Sequence, residues 1–105
     1  MKILRLPSEK WDVTIFNKVN YPFYSITIKG LRSAWPACVR NKINIYAEVD
    51  ESVDKISTYY FSLHETGEEL PKETIERGRF VKTLFLDNGD YVVHVYEYQE
   101  DPSNG

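Results

Sequence analysis

Cysteine is almost missing from this chain of 105 residues: the single one, Cys38, excludes an internal disulfide and fits a reducing compartment. Its apolar setting, Ala34-Trp35-Pro36-Ala37-Cys38-Val39, reads as that of a buried structural thiol rather than a nucleophile. No apolar run approaches the roughly 20 residues of a membrane-crossing helix, so no membrane association is expected. The start, Met1-Lys2-Ile3-Leu4-Arg5-Leu6-Pro7, has no small-residue cleavage site and does not read as a secretory signal, which makes a cytoplasm the expected location. Glycine is sparse and scattered, so no phosphate-cradling loop exists, and neither Cys-x-x-Cys nor His-Glu-x-x-His occurs. Asp50, Glu51 and Asp54, and likewise Asp87 and Asp90, lack the spacing of a calcium loop and read as turns. No catalytic residue, cofactor or metal is therefore expected.

Aromatic residues and strand-period alternation are what the chain has in quantity. Ile43, Ile45, Ala47 and Val49 alternate with Asn44, Tyr46 and Glu48, a period of two that only a half-buried strand uses. The polar Arg40-Asn41-Lys42 suggests a hairpin joining this strand to Trp35–Val39. Tyr59, Phe61 and Leu63 share one face of the next run, which is expected to continue the same sheet as a meander. Pro71, Glu73 and Gly78 frame one short helix near 71–77. Asp87-Asn88-Gly89-Asp90 divides Arg79–Tyr98 into a hairpin, in which Val81, Thr83 and Phe85 are expected to oppose Val93 and Val95. Trp11–Phe16 and Phe23–Ile28 alternate as well, around a turn with Asn20 and Pro22. The expected fold is mainly β, a β-rich α+β chain whose antiparallel, meander or sandwich-like sheet has about seven strands and at most one short helix. Residues 1–98 read as a single β-rich domain and 99–105 as a flexible polar C-terminal tail.

The net charge of −3 conceals an uneven distribution. Residues 1–49 carry eight Lys or Arg against three acids, and residues 50–105 carry five against thirteen. If the halves interleave in one sheet, the expected case, the difference cancels; if they segregate, the molecule is a dipole suited to its own copy or to a basic partner. The acidic balance argues against nucleic acid as a partner, because phosphate neutralisation supplies most of that affinity. The two histidines, His64 and His94, read as surface strand residues, with acid–base chemistry as the sharper alternative. If Val93 and Val95 point inward, then His94, Tyr96 and Tyr98 point out, as do Tyr46 and Tyr60 on their own strands. Tyrosine is enriched at interface hot spots, so Tyr46, Tyr60, His94, Tyr96 and Tyr98, with Glu68 and Glu69 of the acidic run as a site for a basic partner, are the candidate partner-binding residues.

Asn44-Ile45-Tyr46-Ala47-Glu48-Val49-Asp50, Tyr60-Phe61 with Thr66-Gly67 and Leu70-Pro71, Arg79-Phe80-Val81-Lys82-Thr83 and Tyr91-Val92-Val93-His94-Val95-Tyr96-Glu97 resemble, in order and spacing, a family of small tailed-phage proteins of unknown function. The match spans about residues 34–98 and leaves out the first 33. The resemblance implies phage or prophage origin and brings no catalytic residue with it. The function expected is that of a non-enzymatic phage accessory protein in the host cytoplasm, which binds and modulates or inhibits a host or host-defence protein. A homo-oligomeric structural or virion-associated component, and a small ligand-binding protein or enzyme using His64 or His94, are the alternatives.

Overall fold

The computed structural model of the chain describes residues 1–16 and 21–102. Eight strands are described: β1 (Lys2–Pro7), β2 (Asp12–Phe16), β3 (Tyr21–Lys29), β4 (Leu31–Val39), β5 (Lys42–Val49), β6 (Ile56–Glu65), β7 (Arg79–Leu86) and β8 (Tyr91–Tyr98), with the helix α1 (Lys72–Arg77) before β7. They form two antiparallel sheets, one in the order β1-β5-β4 and the other β2-β3-β6-β8-β7. The alternation read from the sequence is what fills the space between them. Ile45, Ala47 and Val49 of β5 meet Ile26, Phe61, Leu84 and Val95 from the larger sheet in one buried cluster. The fold is mainly β with one short helix, as the sequence implies.

Two expectations about strand assembly are corrected. β5 and β6 do not form a meander, because the Asp50–Lys55 connection carries the chain from the small sheet to the large one. β1 is the strand that the sequence reading leaves out; Leu4 and Leu6 pair with Ala47 and Ile45 and pack against the core. Of the three connections that change sheet, β3 to β4 and β5 to β6 meet at one corner. Gly30, between β3 and β4, donates its N–H to Lys55 and accepts from Asp50, each at 2.8 Å. Its φ of 78° and the 2.2 Å that would separate a Cβ from the Asp50 carbonyl oxygen explain why glycine stands there.

The charged halves interleave only in part: β2 and β3 of the basic half join β6, β8 and β7 of the acidic half in the large sheet, with β3 paired to β6. The small sheet is built wholly from residues 2–49, the basic half, while β6, β7, β8 and α1 come from the acidic half. At the corner charges of the two halves pair: Lys2 faces Glu51 at 3.7 Å and Lys29 faces Asp54 at 3.1 Å. Asp50 is a turn residue: its carboxylate accepts from the Ser52 N–H and hydroxyl, which hold it below the usual carboxylate range.

The two hairpins form where the turn residues place them. Arg40 and Asn41 both take positive φ between β4 and β5, as do Asp87, Asn88 and Gly89 between β7 and β8. Asn41 and Asp87 join the two turns reciprocally, side chain to side chain and Asp87 N–H to Asn41 Oδ1. The register of the second hairpin corrects the expected inner face of β7: Leu86 pairs with Tyr91, so Leu84 lies beside Val93 and is buried, while Phe85 is 63% exposed. A bulge between Phe80 and Lys82 then shifts the register once more. α1 begins behind Pro71 and ends at Gly78, whose N–H bonds to the Thr74 carbonyl. Of the expected tail, Pro102 is buried and its carbonyl accepts from Arg77; residues 103–105 lie outside the described residues, as does Asn20 of the expected N-terminal turn. No helix among the described residues is long and apolar enough to cross a membrane.

Candidate functional site

The outer face of the large sheet gathers most of the side chains singled out in the sequence. Cross-strand pairing puts Tyr60 beside Tyr98, Ser62 beside Tyr96 and His64 beside His94, and on the other side of β8 it puts Phe80 beside Tyr96 and Thr83 beside His94. Directly paired residues of an antiparallel ladder share a face, so these form one surface, partly covered by the segment from Thr66 to Gly78.

Under that segment runs a continuous chain of hydrogen bonds. Tyr98 OH lies 2.8 Å from Thr74 Oγ1 of α1 and 2.8 Å from Ser62 Oγ, which is 2.7 Å from His64 Nε2. His64 Nδ1 lies 3.3 Å from a carboxylate oxygen of Glu68, whose other oxygen accepts the Glu65 N–H. Burial lowers the His64 pKa below its ordinary value, against the opposing pull of Glu68, and burial raises that of Tyr98. The expectation of a surface histidine is therefore corrected at His64, which is 1% exposed. Its strand-end position is closed over by Glu68, a residue from the following loop, and alternation within a strand carries no information about such a cover.

Serine, histidine and carboxylate stand here in the order used for nucleophilic catalysis, an arrangement the sequence reading missed because its members come from β6 and the following loop. Ser62 is 0% exposed and shares its hydroxyl with Tyr98, so in this conformation no reacting group reaches it. The chain of bonds ties the covering segment to the sheet.

At the edge of the cover the face opens. His94 is held from both sides, by Thr66 Oγ1 at 2.8 Å on Nε2 and by Thr83 Oγ1 at 2.9 Å on Nδ1. The Tyr96 ring makes T-shaped contacts with those of Phe80 and His64 at centroid separations of 5.7 and 5.4 Å. Phe80 is 52% exposed, and His94, Tyr96, Glu65, Thr66 and Glu68 line a shallow depression next to it. Glu69 follows, exposed.

The sequence-derived candidates thus divide. Glu68, His94 and Tyr96 come together at the depression. Tyr60 is half-buried, and Tyr98, expected to point to solvent, is 5% exposed beneath α1 against Phe23. Tyr46 belongs elsewhere: it stacks on Trp35 at 6.3 Å on the outer face of the small sheet. Phe80 and Phe85 were missed; the register of the hairpin, once counted outward from the Asn-Gly turn, is the signal that finds Phe85.

Among known proteins, a family model described as a domain of unknown function (DUF7352) matches residues 24–105. It runs from within β3 to the end of the chain and leaves out β1 and β2. No curated protein and no solved structure matches the chain.

Proposed function

The chain belongs to this family of domains of unknown function, and from that premise we propose that it is a phage-encoded accessory protein that binds a host or host-defence protein in the host cytoplasm. The observation carrying this reading is the open part of the large sheet's outer face. Phe80 and Tyr96 make an aromatic centre, His94 beside them is fixed by two threonines, and Glu65, Glu68 and exposed Glu69 border them. An apolar, aromatic centre with a polar rim is the anatomy of a protein interface, and an acidic rim selects a basic partner. Phage origin rests on the resemblance over residues 34–98. The test is capture from host lysate on the tagged full chain: the reading expects one stoichiometric partner, and capture of none would overturn it.

A second reading, self-assembly into a homo-oligomeric or virion-associated component, is favoured by the edges of the large sheet. Val13 and Ile15 on β2, and Phe80 and Phe85 on β7, are exposed apolar residues on edge strands, which offer unpaired backbone groups to another strand. Sedimentation of the pure chain at high micromolar concentration separates the two readings, since a monomer excludes the second.

A further inference from the structure

Between the β4–β5 turn and the short 3-10 turn Ser8–Lys10 the chain leaves a cleft of about 690 Å³. This falls within the range of roughly 300–1,000 Å³ typical of small-molecule sites. Trp11, Ile43, Leu63 and Leu86 form its apolar lining and pack at the same time against the central core. The Trp11 ring is held in place before any ligand arrives: its indole N–H donates to the Leu6 carbonyl at 2.9 Å, and its ring meets Phe61 and Tyr24 edge-on at 5.0 and 5.5 Å.

The rim is cationic. Arg5, Arg40 and Lys42 line the cleft, against one carboxylate, Glu9. All three cations are exposed, and among the described residues none forms an ion pair, whereas Lys2, Lys29, Arg32, Lys72 and Arg79 each face a carboxylate. Three uncompensated cations at the mouth of an apolar cleft attract an anion, and an apolar lining beside them favours one that carries a flat hydrocarbon body.

We propose that this cleft binds a small amphipathic anion, its apolar body against Trp11 and its carboxylate, sulfonate or phosphate group among Arg5, Arg40 and Lys42. The site uses none of Phe80, His94 or Tyr96, so it stands or falls independently of the protein-binding face.

The test compares two probes that share one ring system, 8-anilinonaphthalene-1-sulfonate and its uncharged counterpart N-phenyl-1-naphthylamine, titrated into the full chain by fluorescence. The sulfonate is expected to bind at one saturable site about tenfold more tightly than the neutral probe, and to shift the indole N–H resonance of Trp11 and not that of Trp35, the two being told apart with Trp35→Phe. Arg40→Gln with Lys42→Gln should remove most of that preference while leaving the thermal midpoint unchanged, since both side chains are exposed and form no ion pair. Arg5→Gln, on a different strand, should weaken sulfonate binding by itself, which keeps the test open if the double variant folds poorly. Equal affinity for the two probes, sulfonate binding unchanged by both sets of substitutions, or a shift confined to Trp35 would overturn the proposal.

Discussion

His64 gives each ring nitrogen a different task. Facing a carboxylate, Nδ1 carries the proton and donates to Glu68, which leaves Nε2 to accept from the Ser62 hydroxyl; Tyr98 then donates to Ser62 and Thr74 to Tyr98. Every donor in the chain is consistent with a neutral imidazole. Replacing Ser62 by Ala strips His64 Nε2 of its donor inside the protein, at a cost of about 1–3 kcal/mol. For a domain of this size that lowers the thermal midpoint by roughly 4–8 °C per kcal/mol, and a melt followed by circular dichroism reads it directly. The same burial makes stability depend on pH. Because the fold lowers the His64 pKa below its usual 6.5, the unfolded chain takes up the proton first as pH falls. The contribution of His64 is complete above pH 6.5 and is lost as the pH drops from there through the lowered value. Urea denaturation between pH 7.5 and 5 should show wild type losing stability that His64→Gln does not lose; parallel curves would contradict the assignment.

Single strands and hairpins could be read in the sequence because each is a local pattern. The alternation of Ile43, Ile45, Ala47 and Val49, the Asn-Gly turn and the Pro71 and Gly78 boundaries of α1 all lie where the periodicity and turn chemistry put them. The partition into two sheets could not, since it depends on what the Asp50–Lys55 connection crosses, and the inner face of β7 turned on one count of register. In the candidate site, Tyr96 and His94 were legible from β8 alone, whereas the burial of Tyr98 depends on α1 lying over it and that of His64 on Glu68 closing the strand end. The corner at Gly30 is where the missing information is concentrated. A side chain there would take a left-handed backbone that costs roughly 1–2 kcal/mol, and its Cβ would meet the carbonyl of Asp50, the residue whose N–H bonds to Gly30 and ties the two connections together. Gly30→Ala should therefore destabilise the chain by more than the backbone cost alone. Gly67→Ala is the comparison: its φ is likewise positive at 90°, but nothing lies within 4 Å of the added Cβ, so its loss should be limited to the backbone. Equal denaturation midpoints for the two variants would show that the corner is not under this constraint.

Across the whole molecule, the two-sheet arrangement decides which tyrosines one partner can touch. The core lies between the sheets, so the outer face with Tyr46 and Trp35 and the outer face with Phe80 and Tyr96 look in opposite directions. A rigid partner seated on one cannot reach the other. If the partner captured from lysate sits on the large sheet, Phe80→Ser with Tyr96→Ser removes the aromatic centre of the interface, and losing hot-spot residues worth 2 kcal/mol or more weakens binding by about thirtyfold. Tyr46→Ser, on the far side, should leave the affinity within about twofold, since surface changes away from such contacts are worth only a few tenths of a kcal/mol. Both effects are measurable by titration calorimetry with the purified partner, and circular dichroism verifies that each variant keeps its sheet content. The reverse pattern, loss at Tyr46 and none at Phe80 and Tyr96, would move the interface to the basic small sheet and call for an acidic partner instead of a basic one.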